Sequence, residues 1–176
     1  MSAIETADGT ERWSFEASGA VTTPAVVDGT AYVGTSDGYL YAIATTDGTE
    51  RWTVKLNGSV TAPVVADGTV YVGSDSGHLY AIEAADGTEQ WSSTAEGAIT
   101  HTPAVRSGFV YYTYKDAARI FAVNASTGDT EWRWEGDNVG NMNRLPLTAS
   151  ADSVYTFDTH GITVSAIHSV VVSLNA

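Results

Sequence analysis

A period constrains this chain more than any other feature. Asp8-Gly9-Thr10-Glu11-Arg12-Trp13 recurs as Asp47-Gly48-Thr49-Glu50-Arg51-Trp52 and as Asp86-Gly87-Thr88-Glu89-Gln90-Trp91, with a looser copy at Thr127-Gly128-Asp129-Thr130-Glu131-Trp132. The four tryptophans stand 39, 39 and 41 residues apart. A second signature keeps the same beat: Thr23-Pro24-Ala25-Val26-Val27-Asp28-Gly29-Thr30 matches Ala62-Pro63-Val64-Val65-Ala66-Asp67-Gly68-Thr69, and Pro24, Pro63, Pro103 and Pro146 recur in step.

Within one period the local chemistry is strand and turn throughout. Residues 61–66, 70–74, 78–83 and 89–93 are short runs rich in β-branched and aromatic residues, bounded by Asp-Gly or Ser-Gly. Asp-Gly is a hairpin signal because a type I′ turn needs positive φ at both central residues, which Gly adopts freely and Asp tolerates. Each repeat therefore reads as a four-stranded antiparallel meander. No segment carries a sustained 3.6-residue apolar period, so the class is all-β. A four-stranded unit cannot cover both of its faces alone. Radial stacking of such units at a period near 40 solves this, and the expected fold is a β-propeller of four four-stranded blades. The competing parallel β-helix has repeats nearer 20 residues and no hairpin signal between strands. The expected blades are 17–56, 57–95, 96–135 and 136–176, in one domain spanning 1–176, with 3–16 as an outer strand that closes the last blade. Four blades make a tight ring, so three arrangements stay open: a small closed ring, half of an eight-bladed propeller completed by a second chain, or a piece of a longer propeller. The start within a motif and the degraded end favour a fragment or short paralogue.

The eleven-residue pattern Ala-x-x-x-x-[Asp/Thr]-Gly-x-x-x-Trp at residues 3–13, 42–52, 81–91 and 122–132 resembles the tryptophan-docking motif of PQQ-like (pyrroloquinoline-quinone-type) propellers. Three complete repeats and flanking halves match, which is nearly all of the chain. The resemblance implies a structural role for Trp13, Trp52, Trp91 and Trp132, each indole lying on the peptide near a motif glycine of an adjacent blade, the set being Gly9, Gly48, Gly87 and Gly128. Indole offers a large flat apolar surface with one N–H, and glycine leaves the peptide face open to it. A fifth copy begins at Ala166-Ile167 but loses the pattern: Val171-Val172 replace the turn and Ala176 stands where tryptophan belongs. The resemblance also implies a scaffold, since family members use these blades to bind other polypeptides, among them outer-membrane assembly lipoproteins. Its catalytic members are quinoprotein dehydrogenases, which hold PQQ with Ca²⁺.

Charge narrows the partners. The chain has 21 acidic and 8 basic residues, a net charge of -13. Nucleic acid and anionic lipid are bound through Lys and Arg that displace counterions, so neither is an expected partner. Few lysines and many aspartates fit adaptation to high salt, as in a haloarchaeal protein; the plainer reading is an acidic soluble protein. There is no cysteine, hence no disulfide or thiolate chemistry. No apolar run reaches membrane-spanning length, and the first residues carry no secretory signal; the compartment stays open, although the family is often exported.

Catalytic signatures are missing. His78, His101, His160 and His168 are dispersed without metal-ligand spacing, so no metal site is expected, and the aspartates are explained by their turns. A ligand site would be marked by broken symmetry. His101 and Arg144 replace threonine two positions before the strand-opening prolines, where a His and an Arg converging beside the central channel would suit an anion. The connection from Trp132 to Pro146 is longer than its counterparts and amide-rich, adding Asn138, Asn141 and Asn143. Drift in a decaying fourth repeat is the plainer reading of this loop. The run Tyr111-Tyr112-Thr113-Tyr114-Lys115-Asp116 also departs from the repeat, and inward packing of its tyrosines is preferred over display to a partner. The expected function is a non-catalytic propeller that binds a protein partner, with self-association as a further option and no cofactor. The alternative is a relative of a PQQ-dependent dehydrogenase binding a quinone or sugar.

Overall fold

The structure, a computed structural model, describes residues 1–115, 119–135, 147–150, 153–157 and 164–168. Every regular element in it is a β-strand, and no helix among the described residues is long and apolar enough to cross a membrane. The chain begins with a hairpin, β1 (Ser2–Ile4) and β2 (Glu11–Ser14). Three four-stranded meanders follow: β3 (Ala25–Val27), β4 (Thr30–Gly34), β5 (Tyr39–Ala44) and β6 (Glu50–Lys55) in blade 1; β7 (Val64–Ala66), β8 (Thr69–Gly73), β9 (His78–Glu83) and β10 (Glu89–Thr94) in blade 2; β11 (Ala104–Arg106), β12 (Phe109–Tyr112), β13 (Arg119–Asn124) and β14 (Thr130–Glu135) in blade 3. Blade 4 shows β15 (Thr148–Ala149), β16 (Ser153–Phe157) and β17 (Val164–His168). The expected outer strand near 170–174 lies outside the described residues.

One expectation needs correction. The N-terminal segment holds two strands where the sequence reading placed one: β1 pairs with β2, Ala3 opposite Trp13, in the register that sets Ala42 opposite Trp52. The short run Ser-Ala-Ile escaped notice because it carries no turn signal before it. Residues 2–14 thus form the two outer strands of a blade.

The third strand of blades 1, 2 and 3 is covered on both faces, which is why it reads as a continuous apolar run. Leu40 and Ala42 face blade 2, whereas Tyr41 and Ile43 face the hairpin, where Met1, Trp13 and Phe15 meet them. Leu79, Ala81 and Tyr71 pack against Val110, Tyr112 and Phe121 at the next junction, and Tyr111, Ile120 and Ala122 meet Leu147 and Val154 at the last. Each outer strand bulges at the residue before its tryptophan, so that Trp52, Trp91 and Trp132 sit opposite Ala42, Ala81 and Ala122. The short inner strands touch in succession, β3 to β7, β7 to β11 and β11 to β15, and among the described residues no comparable contact joins β15 back to β3. The described blades follow one another along an arc.

Candidate functional site

A meander sends its first and third turns to one end of the blade and its other connections to the opposite end, so the arc has two unlike ends. The turn end repeats. Asp28-Gly29, Asp67-Gly68 and Ser107-Gly108 all have positive φ, the two-residue type I′ geometry. In the longer third turn Asp47 Oδ1 accepts the Thr49 amide at 3.0 Å and its hydroxyl at 2.7 Å, and Asp8 does the same with Thr10. The threonine amides, then the hydroxyls, hold the carboxyls of Asp8, Asp47 and Asp86 below their ordinary range. This end repeats closely in the hairpin and blades 1 and 2, whereas blade 3 has Ser107 in the first turn and Thr127 donating to Asp129 in the third, and Arg12, Arg51 and Arg106 flank the acidic turns.

The other end, built from the second-turn and blade-to-blade connections, keeps one frame and changes its side chains. The frame is backbone: Ser36 N–H donates to Ala20 O, Asp75 N–H to Ser59 O and Lys115 N–H to Ala98 O. On it, the residue opening the third strand is Tyr39, His78 or Arg119, opposite Lys55, Thr94 or Glu135. In blade 1 the Lys55 ammonium lies 4.1 Å from the Tyr39 ring centre and bonds Asp37 O. In blade 2 His78 stacks on Tyr80, with Nδ1 3.1 Å from Ser76 Oγ. In blade 3 Arg119 joins Glu96 at 3.3 Å and Glu135 at 3.1 Å, Arg133 adds a second contact to Glu135, and Tyr114 donates to Glu96 at 2.8 Å. Burial, then the Glu96 carboxylate, pushes the Tyr114 hydroxyl up, while its bond with Tyr114 leads the causes that raise Arg119. Lys55, Lys115, Arg119 and Arg133 place half of the chain's eight Lys and Arg residues here. The sequence reading missed this set. Its signal was the variation at 39, 78 and 119 within an otherwise repeated strand.

His101 lies at this same end, half-buried, its Nδ1 3.2 Å from Thr100 Oγ1. Burial lowers its pKa from the ordinary histidine value. Its counterparts Thr22 and Thr61 serve the frame, accepting the Gly34 and Gly73 amides. Arg144, Asn138, Asn141 and Asn143 lie outside the described residues. Tyr111, Tyr112 and Tyr114 are all buried, and burial pushes Tyr112 up to about 12.

Trp13, Trp52 and Trp91 reach across blade junctions. Their Nε1 groups donate to Thr45 O at 2.9 Å, Ala84 O at 3.0 Å and Ala125 O at 2.9 Å. A Cβ on Gly48, Gly87 or Gly128 would come within 2.7, 3.0 or 2.6 Å of those indoles. Tyr32 and Tyr71 add second donors to the Ala84 and Ala125 carbonyls. A Cβ on Gly9 would meet no described atom within 4 Å, and the counterpart glycine for Trp132 falls at Val172, outside the described residues.

Radially stacked meanders tied in this way define a β-propeller of PQQ-like repeats. The chain belongs to the family described as outer membrane protein assembly factor BamB, which matches residues 1–64 and, overlapping them, 37–170. Among solved structures, BamB from Moraxella catarrhalis superposes with a TM-score of 0.76 at 21% identity over 91% of this chain and 50% of its own. The computationally designed Ika8 protein gives 0.82 at 20% identity over 95% of this chain and 52% of its own. A quinohemoprotein alcohol dehydrogenase from Comamonas testosteroni gives 0.59 at 32% identity over 69% of this chain and 22% of its own. The chain therefore spans about half the length of the BamB structure. No curated protein matches it.

Proposed function

We propose that this chain is a non-catalytic propeller module that binds another polypeptide through the end carrying Tyr39, His78 and Arg119. The observation that supports it most is at this end: one backbone frame repeats in three blades, yet the half-buried residue opening the third strand on it is a tyrosine, a histidine or an arginine with a different partner each time. Repetition on the turn end is what folding requires. Variation on a rigid frame, with aromatic and arginine side chains among mixed charges, suits a protein surface. Membership of a family described by outer-membrane assembly fits a protein partner and a location outside the cytoplasm.

Photo-crosslinking residues placed at Tyr39 and at Thr10 in the native host test this. Protein adducts are expected at position 39, and adducts at position 10 alone would refute the assignment. The 32% identity to the quinohemoprotein dehydrogenase supports a second reading, a ligand-binding relative of such enzymes. Calorimetric titration with PQQ and Ca²⁺ separates the two, with no heat of binding expected at tens of micromolar and a saturable isotherm favouring the dehydrogenase-like reading.

A further inference from the structure

Two Asn-x-Ser triplets stand in the chain, Asn57-Gly58-Ser59 and Asn124-Ala125-Ser126, and the fold uses their asparagines differently. Such a triplet is the acceptor sequence for N-linked sugar where it lies on an accessible surface and its middle residue is not proline. Asn124 closes strand β13 and is half-buried. Its Nδ2 donates to Glu131 Oε1 at 3.3 Å, and its Oδ1 accepts the Ser126 amide at 2.9 Å. Gln90 and Glu83 make the matching bond in blade 2 at 2.7 Å, so the Asn124 carboxamide belongs to the turn.

Asn57 is held by its backbone instead. It lies exposed in the connection from β6 to β7, where its N–H donates to the Tyr80 hydroxyl at 3.4 Å and its carbonyl accepts Ser76 Oγ at 2.8 Å. An asparagine side chain often caps the amide two residues on, as Asn124 does. Here the Ser59 amide donates to Asp75 Oδ1 at 2.7 Å. Gly58 turns the chain at φ +76°, and a Cβ on it would collide with the same Asp75 carboxylate. Asp75 thus fixes the bend, while the Asn57 carboxamide and the Ser59 hydroxyl make no hydrogen bond among the described residues. The repeat sets the contrast. Five residues after the neighbouring tryptophans stand Ser18-Gly19-Ala20 and Glu96-Gly97-Ala98, and their first side chains are engaged: Ser18 Oγ lies 3.0 Å from the Tyr41 hydroxyl, and Glu96 accepts from Tyr114 at 2.8 Å. The connection into blade 2 differs at its first and third residues together, the two that an acceptor needs.

We infer that Asn57 is a site of N-linked glycosylation. The donor is a lipid-phosphate-linked glycan of the host. Asn57 Nδ2 bonds to the anomeric carbon of the sugar, the bond from that carbon to the phosphate oxygen breaks, the lipid phosphate leaves with the electron pair, and one amide proton passes to solvent. Ser59 supplies the hydroxyl by which the acceptor triplet is recognised. The glycan borders the end carrying His78, because Ser76 Oγ joins the Asn57 carbonyl to His78 Nδ1. The inference rests on the proposed location outside the cytoplasm and not on the polypeptide partner.

Cleavage after Lys and Arg separates the two triplets: residues 56–106 hold Asn57 as their one asparagine, and residues 120–133 hold Asn124. In the chain recovered from its native host, mass spectrometry is expected to find sugar on 56–106 and bare peptide at 120–133. Asn57→Gln and Ser59→Ala, at side chains without hydrogen bonds among the described residues, should each abolish the added mass, and Ser59→Thr should keep it. A bare 56–106 peptide, a deamidated Asn57 without sugar, sugar at 120–133 in its place, or sugar that persists in Ser59→Ala overturns the proposal. Cell fractionation tells which premise failed: a bare chain outside the cytoplasm sinks the acceptor assignment alone, and a bare chain inside sinks the location with it. Crosslinked adducts at position 39 are read separately, so the polypeptide-binding reading stands or falls by its own result.

Discussion

Gly87 holds its backbone at φ +79° beneath the Trp52 ring, and both facts resist a side chain there. Gly68 has nearly the same dihedral, +78°, with nothing within 4 Å. Gly68→Ala therefore isolates the left-handed penalty, about 1–2 kcal/mol, and Gly87→Ala adds crowding of the indole for a loss of about 2–4 kcal/mol in urea unfolding. Equal losses would mean that the ring moves aside freely. Trp52→Ala removes the buried indole and should cost about 3–5 kcal/mol by the same measurement. The turn aspartates make a pH prediction. Their carboxyls are depressed in the folded chain by threonine amides and hydroxyls, so the stability they contribute is present above 3.8 and is lost as pH falls through the folded values. Asn retains the accepting oxygen but not the charge. Asp47→Asn with Asp86→Asn should therefore flatten the acid limb of a stability–pH curve while leaving the fold intact.

At the scale of elements, the sequence marked strands well and turns ambiguously. Residues 78–83 are the predicted strand and the observed one, because an apolar run buried on both faces has one reading once bounded by turns. Asp-Gly, however, serves two geometries. In 28–29 and 67–68 both residues take positive φ, while at 47–48 and 86–87 only the glycine does. The five-residue connection at 45–49 lets the Asp cap Thr49, a choice set by loop length rather than by the dipeptide. The connection entering blade 3 carries the titrating group. Burial depresses His101, so the unfolded chain binds its proton at higher pH; stability is full above 6.5 and falls as pH drops below it. His101→Gln should remove that slope in unfolding followed from pH 8 to 5. An unchanged slope would place the titration elsewhere. His101 was legible as a break in symmetry, but the Glu96–Tyr114–Arg119–Glu135 network was not, since it joins residues from separate connections that only the paired strands bring together.

Over the whole molecule, the net charge of -13 is spread over strands and connections, with Asp8, Asp28, Asp47, Asp67 and Asp86 on the repeated turns. Screening contracts from about 10 Å at 0.1 M salt to about 3 Å at 1 M, which relieves the repulsion among them. The thermal midpoint should rise with NaCl across that range, and a flat response would remove self-repulsion as a significant term. By itself the sequence determined the repeat, the four-stranded unit and the all-β propeller class, because period, strand chemistry and turn residues are local and recur. The tertiary structure decided what a local pattern cannot carry: that residues 2–14 pair as two strands rather than one, in what order the described blades touch, and which side chains the second-turn end gathers. Those follow from how blades turn against one another and from which connections each end gathers, and both depend on residues far apart in the chain.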